Sequence, residues 1–109
     1  MVDRQALLAS LPTGLYINGE WRASSDGATL DVDNPATGEV LATVASATPA
    51  DGMAALDAAV AAQASWAKVA PRDRGEILRA AYEKIVVRTE EFALLMTLEM
   101  GKPLAEARG

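Results

Sequence analysis

The side chains that most often carry out enzyme chemistry are poorly represented in this sequence of 109 residues. It contains no cysteine and no histidine, so it has no thiolate nucleophile, no Ser-His-Asp triad and no thiolate or imidazole metal ligand. The groups that remain are carboxylates, lysine, arginine, tyrosine, serine and threonine. This set is small for a whole enzyme, which favours either a protein that is not an enzyme or a part of one.

Three groups of residues could form a site, and each has a simpler explanation. Gly101-Lys102 resembles part of a phosphate-binding loop, but Met96 and Pro103 stand where that motif requires Gly and Ser or Thr. Glu90 and Glu91 could form a catalytic pair, but carboxylates are also favoured in a first helical turn. Four further acidic residues could hold a hard cation, although a solvated strand face explains them better. These are Asp26, Asp31, Asp33 and Glu39.

Charge and hydropathy narrow the range of partners. The net charge is -5, so neither a nucleic acid nor an anionic membrane is expected as a partner. The apolar patch that follows Met1 is too short for a signal peptide or a membrane span, so we expect a cytoplasmic protein. Half of the residues are apolar, but 23 of them are alanine, which favours helix more than core.

The first 48 residues show the pattern of short strands and turns. Asn18-Gly19 separates two β-prone runs and predicts a type I′ hairpin turn. Leu30 and Val32 alternate with acidic residues, which predicts a half-buried strand leading through an Asn34–Gly38 turn into another strand. Two antiparallel hairpins alone are marginally stable in water, so they need a further surface to pack on.

Helical signals replace this pattern after residue 48. The segment Thr48–Asp51 predicts a capped helix start, Pro71 opens a second helix, and Thr89 caps a third that Gly101 stops. Another helix begins at Pro103 and has one turn before the sequence ends, which predicts a longer natural chain. Apolar residues recur at helical spacing in the first two helices. They are Met53, Leu56, Val60 and Ala64, then Leu78, Ala81, Ile85 and Val86.

Four short motifs have the sequence, order and spacing of motifs in the aldehyde dehydrogenase superfamily. They are Tyr16-Ile17-Asn18-Gly19-Glu20-Trp21, Asn34-Pro35-Ala36-Thr37-Gly38-Glu39-Val40, Trp66 with Arg74 and Ile77-Leu78, and Leu98-Glu99-Met100-Gly101-Lys102-Pro103-Leu104. They resemble, in turn, the family's first hairpin, its Asn-Pro-x-Thr-Gly-Glu turn, its first two helices and its Glu-x-Gly-Lys-Pro segment. Within the family, residues 96–107 are most similar to the succinate-semialdehyde dehydrogenase group.

This resemblance implies that the chain is the N-terminal segment of an α/β protein several times longer. The segment itself is α+β, with N-terminal β-hairpins followed by three amphipathic helices. It divides into a tail or short helix (1–13), a β-hairpin region (14–48) and the helical part of an incomplete NAD(P)-binding domain (49–109).

The resemblance also implies an activity for the complete protein. Members of the family use NAD or NADP to oxidise an aldehyde through a cysteine thioester, which a glutamate-activated water hydrolyses. We expect a small aldehyde, succinate semialdehyde, as the substrate and a homo-oligomer as the complete form. The catalytic and nucleotide-binding residues of the family lie downstream, so none is assigned here. The 109 residues alone are therefore expected to be inactive.

One minor site is implied within the chain itself. Some members bind a structural monovalent cation through backbone carbonyls, and the matching positions are Val32, Asp33 and Glu99, where several members have Asp instead of Glu99. The alternative interpretation is a non-catalytic truncated paralogue or a helical interaction module, which the missing catalytic groups favour. As a fragment, the chain should expose apolar surface that the rest of the enzyme covers.

Overall fold

Two small hairpins precede a set of helices in the computed structural model, which describes residues 1–109. The chain order is α1 (Arg4–Ser10), β1 (Leu15–Ile17), β2 (Glu20–Arg22), β3 (Thr29–Asp33), β4 (Val40–Ala45), α2 (Pro49–Trp66), α3 (Pro71–Val87), α4 (Thr89–Met100) and α5 (Leu104–Ala107). The predicted α+β arrangement is confirmed. Two short helices, α1 and α5, flank the three longer ones.

The first hairpin consists of β1 and β2, which pair in antiparallel register and form a two-stranded sheet of their own. Its turn has φ of 52° at Asn18 and 79° at Gly19, so the predicted turn with positive φ at both central residues is confirmed. Tyr16 lies opposite Trp21, and their ring centroids are 4.9 Å apart. Both aromatic side chains remain largely exposed to solvent.

The second hairpin consists of β3 and β4, with the predicted Asn34–Gly38 turn between them. The backbone N–H of Ala36 donates to the Asn34 side-chain oxygen at 2.9 Å, which stabilises this turn. Val32 pairs with Ala42 and Asp33 with Val40, so Leu41 is an extra residue and the strands form a bulge. Val32 is half-buried as predicted.

The prediction of a half-buried strand is wrong at Leu30, whose side chain is 48% exposed. The alternation in β3 gives the correct face for a side chain but does not determine what covers that face. Leu30 belongs to a two-stranded sheet, which offers a side chain only one neighbouring strand.

The start of α2 has the Thr48 cap that the sequence predicts, and the Asp51 side chain adds the reciprocal bond of a capping box. The Asp51 backbone N–H donates to the Thr48 hydroxyl at 3.2 Å, and the Thr48 backbone N–H donates to the Asp51 carboxylate at 2.9 Å. Pro49 occupies the first helical position, where its missing N–H leaves no helical bond unmade. The predicted start of α3 at Pro71 is confirmed as well.

The prediction that Thr89 caps α4 is wrong. Arg88 is the N-cap residue, no side chain caps the helix, and Thr89 is its first residue. The Thr89 hydroxyl instead donates to the Val86 carbonyl at 2.7 Å. Because α3 ends only two residues earlier, its last carbonyls lack helical partners and lie within reach of this hydroxyl.

Gly101 ends α4 as predicted, with a left-handed φ of 78°. Few apolar side chains are buried: only Leu7, Ala93, Leu98 and Ala107 are, and they belong to α1, α4 and α5. The apolar stripes predicted for α2 and α3 face solvent in this chain, with Val60 59% and Leu78 66% exposed. No helix combines the length and the apolar character needed to cross a bilayer.

Candidate functional site

Three of the four acidic residues considered as a hard-cation site have separate partners. Asp26 accepts from Ser24 and from the Ala28 backbone, Asp31 accepts from the Thr43 hydroxyl, and Glu39 pairs with Arg4 at 2.7 Å. The structure contains no group of three or more acidic side chains placed to hold a metal ion. Asp31 and Asp33 are exposed, in agreement with a solvated strand face.

Glu90 and Glu91 also act separately, because each pairs with a different arginine. Arg108 makes a bidentate pair with Glu90, with distances of 2.8 and 2.9 Å, while Arg88 donates to Glu91 at 2.6 Å. The hydrogen bond from Arg108 lowers the pKa of the Glu90 carboxyl, and Glu90 in turn raises the pKa of Arg108. The first pair ties α5 to the start of α4, which is a structural role.

Two of the three residues predicted to hold a monovalent cation lie together. Val32 and Glu99 both line a cavity of about 90 Å³ between the second hairpin, α1 and α4, whereas Asp33 does not line it. Asp33 lies next to Val32 at the bulge. The end of α4 approaches the Asn34–Gly38 turn, since a Cβ atom added to Gly101 would lie 3.6 Å from Cγ of Pro35.

The most buried polar side chain is Asp51, whose carboxylate is 1% exposed. Its Oδ2 accepts from the Thr48 and Ser25 backbone N–H groups at 2.9 and 3.0 Å, and also from both hydroxyls. Its Oδ1 accepts from Arg22 at 3.0 Å. The carboxylate therefore joins the start of α2 to the end of the first hairpin.

The Thr48 and Ser25 donors lower the pKa of the Asp51 carboxyl from 3.8 to about 2. The backbone N–H of Thr48 contributes most and that of Ser25 next, because both stabilise the ionised form. Burial opposes the shift, and the Thr48 and Ser25 hydroxyls add to it. Asp51 is therefore ionised at neutral pH, and its bonds show a structural group rather than a proton carrier.

The sequence predicts the Thr48 cap with Asp51 in the first helical turn, but not the bonds of Asp51 to Arg22 and Ser25. The capping pair is recognisable because its residues are three apart. Arg22 and Ser25 precede Asp51 by 29 and 26 residues, and no local pattern indicates that they meet. The only sequence signal for these contacts is that an arginine lies near the end of a hairpin and an acidic residue lies at the start of a helix, so the two could form an ion pair.

Comparison with known proteins places this arrangement in a family. The sequence model of the aldehyde dehydrogenase family matches residues 21–109, which is most of the chain. This chain belongs to the aldehyde dehydrogenase family. The resemblance of the four short motifs is thereby confirmed.

Individual relatives agree with this assignment. The chain is 69% identical over 70 residues to a succinate-semialdehyde dehydrogenase of Paenarthrobacter nicotinovorans, covering 64% of this chain and 16% of that protein. It is 44% identical over 94 residues to a glutarate-semialdehyde dehydrogenase of Pseudomonas putida, covering 86% of this chain and 20% of that protein. The chain thus spans a fifth or less of the length of these aldehyde dehydrogenase relatives.

The fold agrees with a solved member of the aldehyde dehydrogenase family. A crystal structure of betaine aldehyde dehydrogenase from Staphylococcus aureus in complex with NAD+ superposes with a TM-score of 0.93 at 37% identity. The superposition covers 96% of this chain and 21% of that one. The hairpins and helices described above therefore have the arrangement found in one segment of the aldehyde dehydrogenase fold.

Proposed function

We propose that this chain is the N-terminal segment of an NAD(P)-dependent aldehyde dehydrogenase that oxidises succinate semialdehyde to succinate. The observation that carries the proposal is the 69% identity to a succinate-semialdehyde dehydrogenase. The likeness to a dehydrogenase structure that holds NAD+ supports a nicotinamide nucleotide, NAD or NADP, as the cofactor.

The proposed reaction proceeds through a thioester on a cysteine outside these 109 residues. The thiolate adds to the aldehyde carbon, and loss of hydride leaves a thioester that a glutamate-activated water hydrolyses. The bound nicotinamide accepts the hydride. In sum, aldehyde, water and NAD(P)+ give carboxylate, NAD(P)H and two protons. No residue of this chain takes part, so we expect the segment alone to be inactive.

In this proposal the 109 residues have an architectural role and belong to an NAD(P)-binding domain. The exposed apolar residues of α2 and α3, such as Val60, Leu78 and Tyr82, would be covered by the rest of the same chain. The complete enzyme is proposed to be a cytoplasmic homo-oligomer whose other partner is a small aldehyde.

We also propose that the backbone carbonyls of Val32 and Asp33, together with Glu99, hold a structural monovalent cation. The bulge at Val32 and Asp33 supports this site, because a bulge interrupts the strand ladder and frees backbone groups. Val32 and Glu99 also line one cavity, so these two residues lie near each other. A higher melting temperature in K+ or Na+ than in tetramethylammonium at equal ionic strength is expected; equal melting temperatures would exclude the site.

The substrate is tested by comparing two aldehydes that differ by one methylene. We expect the natural protein to oxidise succinate semialdehyde with a kcat/KM at least about tenfold higher than that for glutarate semialdehyde, since one methylene changes specificity by roughly 10- to 200-fold. NAD and NADP are each supplied in parallel assays. A preference for glutarate semialdehyde would overturn succinate semialdehyde as the proposed substrate. The absence of NAD(P)H formation with both aldehydes would overturn the proposed activity.

The alternative is a non-catalytic truncated paralogue or a helical interaction module, and the absence of cysteine and histidine favours it. This alternative predicts that the 109 residues unfold cooperatively as a monomer. The enzyme proposal predicts a broad, non-cooperative transition. The coding sequence beyond Gly109 separates the two directly, because only the enzyme requires downstream cysteine and glutamate motifs.

A further inference from the structure

The first hairpin and the turn that follows it, residues 14–25, are attached to the rest of the protein at few points. Every hydrogen bond from these residues to a residue beyond Ala28 ends on Thr48 or Asp51. Three of these bonds end on the Asp51 carboxylate, with donors Arg22 Nη2 at 3.0 Å, the Ser25 N–H at 3.0 Å and the Ser25 hydroxyl at 3.2 Å.

Apart from these bonds, the hairpin is held where β1 lies against α2, with Leu15 and Ile17 half-buried, and where the Thr13 carbonyl accepts from the Ala45 N–H at 2.8 Å. Each of its strands has three residues, and the two form an isolated sheet, which is marginally stable at best in water. Its aromatic pair contributes little anchoring, since Tyr16 is 62% and Trp21 56% exposed. Arg22 and Ser25 therefore supply the donors that attach the hairpin to the Asp51 carboxylate of α2.

The second hairpin is held differently. Val32, Leu41 and Val44 face one cavity together with Leu8 of α1 and Leu95 of α4, and no hydrogen bond of residues 29–45 ends on Asp51. The two hairpins should therefore respond differently to the loss of the Asp51 charge.

We propose that residues 14–25 form a strap that the single carboxylate of Asp51 fastens to α2, and that loss of this charge releases the strap while the second hairpin stays in place. The strap is a conformational device of the chain's own fold and does not depend on the proposed enzymatic function. Opening would uncover the start of α2 without unfolding the helices, as expected of a local unit held by few contacts.

The test is amide hydrogen exchange of the natural protein, measured on peptides by mass spectrometry. Asp51→Asn preserves the shape of the side chain but replaces one acceptor oxygen with an NH2 group beside N–H donors. We expect exchange in residues 14–25 to accelerate at least about tenfold and exchange in residues 29–45 to change less than about twofold. Arg22→Gln, which removes one of the donors, should accelerate exchange in 14–25 by a smaller factor.

Two control variants separate the strap from general effects on α2. Asp57→Asn removes an exposed carboxylate of the same helix and should leave exchange in residues 14–25 unchanged. Thr48→Ala removes the helix cap and one hydrogen-bond partner of Ser25, so it should act mainly on the first turn of α2 and accelerate exchange in residues 14–25 less than Asp51→Asn does. Unchanged exchange in 14–25 of Asp51→Asn, or an equal acceleration in residues 29–45, would overturn the proposal. The same would follow if Asp57→Asn released residues 14–25 as well.

Discussion

Asp51 carries its negative charge on a side chain that is 1% exposed, where an unpaired charge would be strongly unfavourable. Donors from Thr48, Ser25 and Arg22 compensate for the lost hydration. Because its pKa falls from 3.8 to about 2 on folding, the folded state binds the proton less readily than the unfolded chain. The resulting stabilisation is complete well above pH 3.8 and is lost as the pH falls toward 2.

This linkage predicts a pH-dependent difference between the natural protein and its Asp51→Asn variant. Asparagine cannot ionise, so the wild-type advantage in the urea midpoint should be constant above about pH 5 and shrink as the pH falls from about 4 to about 2. Urea titrations of both proteins across this range, followed by circular dichroism, measure the difference. A difference of the same size at pH 2 and pH 6 would contradict the role assigned to the Asp51 charge.

At the residue scale, the sequence predicts what is local. The Thr48 and Asp51 cap and the Asn34 turn bond are confirmed because each depends on residues two or three positions apart. The contacts of Arg22 and Ser25 with Asp51 are not predicted, since they depend on how a hairpin meets a helix. The cation site also remains a proposal, because backbone carbonyls carry no residue-specific signal.

At the scale of elements, the end of α4 depends on a left-handed residue. Gly101→Ala should destabilise the fold by about 1 to 2 kcal/mol, because a Cβ disfavours this conformation even though the nearest atom, Pro35 Cγ, lies 3.6 Å away. Gly75→Ala is the matched control, as Gly75 lies within α3 with open space around it. It should stabilise by about 0.5 to 1 kcal/mol.

Chemical denaturation of the natural protein and of its two glycine variants measures these changes in the free energy of unfolding. Opposite signs for Gly101→Ala and Gly75→Ala support the assignment of Gly101 as the stop of α4. Stabilisation by both substitutions would contradict it, because the cost of the left-handed conformation would then be absent.

The boundaries of the elements follow from signals that the sequence displays. Asn18-Gly19, Pro49, Pro71 and Gly101 lie where hairpins turn and helices begin or end. The Thr89 cap fails because the hydroxyl has a competing acceptor on the preceding helix. Leu30 is exposed because the alternation of apolar and acidic residues within β3 does not indicate which elements pack against that strand.

At the scale of the whole molecule, the chain forms a thin layer of 46 × 37 × 20 Å. Its radius of gyration is 16.9 Å, whereas a compact domain of this length has about 13 Å. Its accessible surface is 7936 Å², about 2,200 Å² more than a compact protein of this size exposes. An excess of that size corresponds to one side of a large obligate interface.

This shape predicts that the isolated 109 residues associate with one another. Exposed apolar side chains on α2 and α3 should bind the dye ANS and drive self-association. Leu78→Glu, which places a charge at a position 66% exposed, should weaken the association. Sedimentation velocity and dye titration measure both effects. A monomeric chain that binds no dye would contradict this interpretation of the exposed surface.

The order of four motifs predicts the family, because order and spacing together carry more information than any single motif. The residues do not predict which surface the remaining chain covers, since apolar stripes on helices have the same pattern whether or not a neighbour is present. The extended dimensions of the chain and its large accessible surface are what indicate that further chain covers these helices.

We propose that this chain belongs to an enzyme that oxidises an aldehyde through a thioester. The most direct measurement is NAD(P)H formation by the natural protein with succinate semialdehyde, before and after replacement of its nucleophilic cysteine by alanine. We expect aldehyde-dependent NAD(P)H formation that this replacement abolishes. Turnover that persists unchanged in the alanine variant, or no turnover of the wild-type protein with either nucleotide, would contradict it.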